Sequence, residues 1–232
     1  MGPRSRVMER VPEPELMDGR AQAAAYAAAD FSVSDQAVIE RLAQLFPAGL
    51  GGRVVDLGCG PGNISFRLAA AHPTAHVLGI DGAGAMLELA EVELARQGRL
   101  DPQLAKRLRF QCCQLPDPQL AGGFSAVVSN SLLHHLHQPA VLWCTVRQMG
   151  GAGAAVYIKD LRRPASLEAA EALRRLHMAG APAVLQHDYL ASLRAAFTPE
   201  EVMGQLVAAG LQRQLQVAPL DDRYLEVWGR LD

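Results

Sequence analysis

Val54-Val55-Asp56-Leu57-Gly58-Cys59-Gly60-Pro61-Gly62-Asn63 decides the fold of this chain. An apolar run with an acid inside it meets three glycines at every second position, and a helical pattern follows. Arg53 to Leu57 reads as a buried strand. Glycine at 58, 60 and 62 strips the turn of side chains, so its backbone N–H groups can face a ligand. From Asn63 to Ala71 the positions Ile64, Phe66, Leu68 and Ala71 are available to pack as a helix, and the turn therefore delivers its ligand to a helix N-terminus.

The glycine spacing argues about the ligand. A dinucleotide turn needs G-x-G-x-x-G, and counted from Gly58 the last position falls on Asn63. A pyrophosphate would fit poorly. A second apolar strand, Val77-Leu78-Gly79-Ile80-Asp81, ends in an acid 19 residues after Gly62. In doubly wound nucleotide folds an acid at about this separation accepts hydrogen bonds from ribose hydroxyls.

Asp56-Leu57-Gly58-Cys59-Gly60-Pro61-Gly62 resembles motif I of the class I S-adenosylmethionine-dependent methyltransferases. The resemblance implies that Asp56 faces the ligand's ammonium group and that Gly58, Cys59, Gly60, Gly62 and Asn63 border the cofactor. Asp81-Gly82-Ala83-Gly84-Ala85-Met86-Leu87 is similar to the family's second-strand acid and the helix beside adenine, which assigns Asp81 and Gly82 to the ribose and Met86 to the base. Small residues stand where the family often has a capping Ser or Thr. Arg109 to Pro116 resembles the third motif, and Cys113 and Gln114 occupy the place of the acid that usually meets the adenine amine. Phe124 to Leu136 resembles strand four and its exit, which brings Asn130 to the cofactor. The resemblance spans roughly residues 20 to 230 and its diagnostic residues lie between 54 and 136. It implies S-adenosylmethionine as cofactor, S-adenosylhomocysteine as product and a small-molecule acceptor.

Methyl transfer from a sulfonium is an in-line displacement in which a base helps only a protonated acceptor. His134 and His135 stand where such a base would act, and neighbours at a helix start point about 100° apart, so one of them is expected to face the crevice. His135 is the expected base, with His134 next. Tyr26, in the N-terminal helical segment, is the third candidate, placed near the donor by resemblance. Asp160 ends the fifth strand, where it could orient an acceptor or cap a helix. Arg162, Arg163, His177, His187 and Tyr189 are expected to form the acceptor wall. No metal site is expected.

The chain has 232 residues, 50% hydrophobic and 20% charged, with a formal net charge of −2. That is material for one α/β domain, and it gives no footprint for nucleic acid. The basic cluster Arg162, Arg163, Arg174 and Arg175 is interleaved with Glu168 and Glu171, as on a solvated helix face. Four cysteines show no C-x-x-C pair, no secretory leader is expected at the N-terminus, and no apolar run reaches membrane-spanning length, which together point to the cytoplasm. A homodimer is left open. The rival readings are a nucleic-acid or protein methyltransferase, whose Asn/Asp-Pro-Pro-aromatic motif Ser129-Asn130-Ser131-Leu132 lacks, and a non-catalytic S-adenosylmethionine-binding protein.

The expected fold is α/β, a Rossmann-like doubly wound seven-stranded sheet with helices on both faces and an antiparallel last strand pair. Residues 1–13 are expected to be a flexible tail and 14–232 one domain, with an N-terminal helical lid over 14–50 and a helical insertion over 161–197. Strands are expected near 53–57, 76–80, 107–112, 124–129, 154–160, 212–218 and 223–229. Helices are expected over 15–29, 35–46, 62–72, 84–97, 138–149, 166–178 and 188–196, then from Thr198 to Gly210.

Overall fold

The computed structural model describes residues 8–13 and 19–232. Seven strands form one sheet: β1 (Arg53–Leu57), β2 (His76–Asp81), β3 (Leu108–Cys112), β4 (Phe124–Asn130), β5 (Gly150–Leu161), β6 (Leu215–Pro219) and β7 (Tyr224–Arg230), in the order β3-β2-β1-β4-β5-β7-β6. The first five pair in parallel, while β7 runs antiparallel to both β5 and β6. Strand order reverses between β1 and β4, so their carboxyl ends open a crevice where such sheets place ligands. The Rossmann-like seven-stranded sheet with an antiparallel last pair is the one expected from the sequence.

Adjacent residues of a strand point to opposite faces, and both faces here are apolar. Val55, Leu57, Val127, Val156 and Ile158 pack on one side with Leu142, Trp143 and Val146 of α6 (Ala140–Met149) and with Val202 and Leu206 of α9 (Pro199–Ala208). Val54, Val77, Ala126, Val128 and Tyr157 pack on the other with Val38, Ile39 and Leu42 of α2 (Ser32–Leu45) and with Ile64 and Leu68 of α3 (Asn63–Ala71). Each such side chain contributes roughly 1.5–3 kcal/mol when fully buried, and together they hold the crevice edges rigid.

Local chemistry sets the helix ends. Thr198 caps α9 through the Glu201 N–H while the Glu201 carboxylate accepts from the Thr198 N–H, a capping box with Pro199 as first helical residue. After β2, α4 (Gly84–Gly98) lacks a side-chain cap at Ala83, and the Asp81 carboxylate takes the Ala83 N–H instead. A short helix not expected from sequence, α5 (Pro102–Arg107), follows α4 because Asp101 caps it and Pro102 begins it. Strand β6 starts three residues later than expected, since Gln214 and Leu215 still donate to the Leu211 carbonyl.

At the N-terminus, α1 (Arg20–Ala28) and α2 precede the sheet, and residues 15–18 of the expected first helix lie outside the described residues. After β5, α7 (Leu167–His177) and α8 (Ala183–Ala195) pack around Leu161, Ala170, Leu193 and Ala196. Helix α8 begins five residues before the expected stretch, directly after Pro182. The expectation of a tail over 1–13 fails for residues 8–13; residues 1–7 lie outside the described ones. Arg10 donates to the carbonyls of Ala195, His134 and Leu136 and stacks 4.0 Å from the Phe197 ring. Met8 and Val11 donate to the Ala165 and Arg194 carbonyls. An irregular segment without a hydrophobic period is thus held by tertiary hydrogen bonds, which no local pattern records.

Candidate active site

The turn after β1 is stapled to the tip of β2. Gly58 and Cys59 N–H donate to the Ile80 carbonyl at 2.8 and 3.0 Å, and Gly60 N–H donates to Asp81 Oδ2 at 2.8 Å. Gly58 has φ +70°, and an added Cβ would meet Leu132 at 2.9 Å. Gly62, at φ +88°, faces Phe110 and Phe66, with 2.7 and 2.9 Å to an added Cβ. Gly62 therefore serves as the left-handed cap of α3 packed on aromatics, and it does not line the cleft as expected.

The other fourteen expected residues line one cleft of about 1430 Å³: Tyr26, Asp56, Gly58, Cys59, Gly60, Asn63, Asp81, Gly82, Met86, Cys113, Gln114, Asn130, His134 and His135. Asp56 is 1% exposed and accepts the Ser65 hydroxyl at 2.6 Å. Burial pushes its carboxyl up to about 7, with the neighbouring Asp81 charge adding to the rise. Asn130 Oδ1 is buried with no hydrogen-bond partner among the described residues. An ammonium group between Asp56 and Asn130 would supply what both oxygens lack. Met86, with Ala23, Ala83 and Tyr26, forms a small apolar cluster where α1 closes on α4. The donor set thus fits S-adenosylmethionine: acceptors for an ammonium, a strand-tip carboxylate for a ribose and an apolar wall for a base.

In the third-strand segment, burial pushes the Cys113 thiol up to about 11, and it donates to the Asp117 carboxylate at 3.3 Å. The acid of this region therefore engages the thiol instead of the cleft, whereas Gln114 is exposed at the cleft edge.

Four side chains, Glu13, His134, His135 and Asp160, meet beside the cleft, and the two histidines line it. Leu133–His135 is a single 3-10 turn, not the start of an α-helix, and the two imidazoles stack with centroids 4.2 Å apart instead of diverging by 100°. Both histidines line the cleft, which corrects the expectation of one. His134 is buried, with Nδ1 2.5 Å from Asp160 Oδ1, while Asp160 Oδ2 takes the Leu133 N–H at 2.7 Å. Burial alone would lower the His134 pKa; the adjacent Asp160 and Glu13 carboxylates outweigh it and raise it. Glu13 Oε1 lies 3.6 Å from His134 Nε2 and 3.3 Å from His135 Nδ1, and accepts the Ser192 hydroxyl at 3.0 Å. Burial pushes the Glu13 carboxyl up, against the pull of His134.

Tyr26 enters from α1 with its ring 4.9 Å from Phe31, and burial raises its phenol above the usual range, so it stays protonated. Of the expected acceptor wall, His177 and Tyr189 line the cleft, whereas Arg162, Arg163 and His187 do not. Arg163 is buried against the Ala196 carbonyl and the Glu201 carboxylate, and Arg162 donates to the Asp221 carbonyl. Sequence reasoning missed Glu13, placed in the supposed tail, and Lys159. Lys159 is 5% exposed, its ammonium 4.0 Å from the Tyr224 ring centroid, and burial lowers its pKa to about 8. A lysine at the end of a buried strand beside Asp160 was the available signal for it.

Residues 54–150 match the family described as methyltransferase domain. A ubiquinone biosynthesis O-methyltransferase of Aromatoleum aromaticum is 35% identical over 118 residues, half of this chain and 47% of that protein. A trans-aconitate 2-methyltransferase of Streptomyces coelicolor is 31% identical over 194 residues, 77% of this chain and 58% of that protein. The chain spans about half the length of these relatives. A SAM dependent methyltransferase from Aquifex aeolicus superposes with TM-score 0.64 at 15% identity over 92% of this chain and 99% of that one, a likeness of fold. The matched stretch carries the glycine turn between two acidic strand ends, so residues 54–150 are similar to a methyltransferase domain in both motif and fold.

Proposed function

We propose that the cleft binds S-adenosylmethionine and transfers its methyl group to a small-molecule acceptor. The observation that carries this reading is the convergence of Asp56, Asp81, Asn130, His134 and His135 on one cleft of about 1430 Å³, with Glu13 beside the two histidines. That volume exceeds the usual range for one drug-sized ligand and suits a donor beside an acceptor. The names of the relatives, acting on trans-aconitate and in ubiquinone biosynthesis, support a small acceptor. Arg162 and Arg163 are engaged within the fold, so they add nothing to a basic face for nucleic acid.

In this reading Asp81 accepts from the ribose hydroxyls, and Asp56 and Asn130 accept from the ammonium. The bound sulfonium compound already carries its leaving group, so the chain aligns the acceptor and excludes water. The acceptor gives up its proton at the histidine cluster, its lone pair forms a bond to the methyl carbon, and the carbon–sulfur bond breaks. Tyr26 and α1 close the donor side. The reading extends to the cytoplasm as the place of action.

Calorimetry with S-adenosylhomocysteine tests donor binding, and mass spectrometry of a metabolite extract incubated with labelled donor tests transfer. One equivalent bound, with a labelled product that His135→Ala diminishes while leaving S-adenosylhomocysteine affinity unchanged, is the expected result. Well-folded protein that takes up neither S-adenosylmethionine nor S-adenosylhomocysteine would overturn the reading.

A further inference from the structure

We propose that Glu13, His134 and His135 hold a borderline divalent cation of the Zn²⁺ class beside the cleft that the two histidines line. This deepens the methyl-transfer reading and rests on it for what the ion does, but not for whether it binds. One ligand atom from each of the three residues lies within 4.8 Å of the others. Metal–nitrogen and metal–oxygen bonds of about 2.0–2.1 Å at a tetrahedral angle put neighbouring ligand atoms about 3.3 Å apart. Glu13 Oε1 stands 3.3 Å from His135 Nδ1 and 3.6 Å from His134 Nε2, so small side-chain movements close the shell.

The surroundings are those of a ligand set. Asp160 lies against His134 Nδ1, so with an ion bound the ring proton would stay at Nδ1 and Nε2, 3.6 Å from Glu13 Oε1, would be the ligand atom; ligating histidines are commonly oriented by a carboxylate in this way. Ser192 fixes the Glu13 carboxylate through Oε1. The Asp160 bond to the Leu133 N–H holds the 3-10 turn that carries both imidazoles. Two imidazoles and one carboxylate suit first-row divalent ions better than Ca²⁺ or Mg²⁺; three protein ligands leave a fourth position free, and the two histidines line the cleft. The three residues come from a segment at the N-terminus and from the exit of β4, so the site forms only in the folded chain.

Bound there, such an ion would replace the histidines as the proton-removing device: it would polarise an acceptor hydroxyl so that its proton leaves to solvent, and the acceptor oxygen would then bond to the methyl carbon as the carbon–sulfur bond breaks.

The test uses the full chain, freed of metal by a chelator and titrated with Co²⁺ and with Zn²⁺ alone, with S-adenosylhomocysteine calorimetry in parallel. One equivalent of Co²⁺ with visible bands of a low-coordinate site, displaced by Zn²⁺, is expected. Glu13→Gln and His135→Ala should each weaken binding at least tenfold, and Asp160→Asn about 10–100-fold through His134. Circular dichroism and S-adenosylhomocysteine binding report that these variants are folded. Absence of stoichiometric Co²⁺ binding by protein that binds S-adenosylhomocysteine overturns the metal site and leaves the methyl-transfer reading standing. Co²⁺ binding unchanged in Glu13→Gln and His135→Ala also overturns it. Metal binding without S-adenosylhomocysteine binding supports the site and overturns the transfer reading.

Discussion

Asp160 reaches from the end of β5 to His134, with Oδ1 2.5 Å from Nδ1, while its other oxygen takes the Leu133 N–H at 2.7 Å. One buried carboxylate therefore fixes both the imidazole and the backbone turn that presents it. Asp160→Asn keeps one acceptor and replaces the other with a donor facing the ring. Charge-assisted bonds of this kind contribute about 1.5–3 kcal/mol, so the variant should unfold about 2 kcal/mol more easily in urea. An unchanged midpoint would show that the pair is not under load.

Asp81 joins the glycine turn to α4, accepting from Gly60 N–H and Ala83 N–H, both at 2.8 Å. Asp81→Ala removes both anchors and the proposed ribose acceptor. S-adenosylhomocysteine affinity should fall by at least tenfold, since about 1.4 kcal/mol is a factor of ten and more than one bond is lost. Calorimetry decides the matter, and affinity within twofold of the parent protein would remove Asp81 from the cofactor site.

The Asp56 carboxyl, raised to about 7 by burial and by Asp81, gives a pH dependence whose sign can be worked out. The unliganded fold binds this proton up to about pH 7, whereas an ammonium ligand favours the ionised form and expels it. Affinity for S-adenosylhomocysteine should be level above about pH 8 and fall about tenfold by about pH 6, because the proton must then be removed on binding. In Asp56→Asn the slope should vanish. A flat profile in the parent protein would contradict the assignment.

Arg10 ties residues 8–13 to the domain through three carbonyls and the Phe197 ring. Arg10→Ala leaves those partly buried carbonyls without this donor and frees the segment that carries Glu13. A loss of about 2 kcal/mol and new proteolysis between residues 8 and 13 are expected. A segment as protease-resistant as before would mean that other contacts suffice.

Much of the site was legible because it is local. The glycine turn, Asp56, Asp81 and Asn130 each sit at a strand end, and a strand end is set by a short apolar run and the residues that break it. What failed to read were positions fixed by partners far away in sequence. Arg163, taken for an acceptor contact, is buried against Glu201 and Ala196. Gly62, taken for a cofactor contact, has its space filled by Phe66 and Phe110.

The histidines mark the boundary between the two kinds of information. Their placement after β4 follows from strand pattern and family resemblance, but their orientation does not. A 3-10 turn held by Asp160 stacks the rings, and a contact across 121 residues brings Glu13 against His134. The sequence by itself determined the α/β alternation, since periodicity and turn chemistry act over a few neighbours, while the family resemblance supplied the seven-stranded sheet and the expected cofactor-side residues, which the structure brings to one cleft apart from Gly62. The tertiary structure alone decided the Glu13, His134, His135 and Asp160 constellation, the docking of residues 8–13 and the burial of Lys159, because those depend on long-range packing and desolvation that no local pattern encodes.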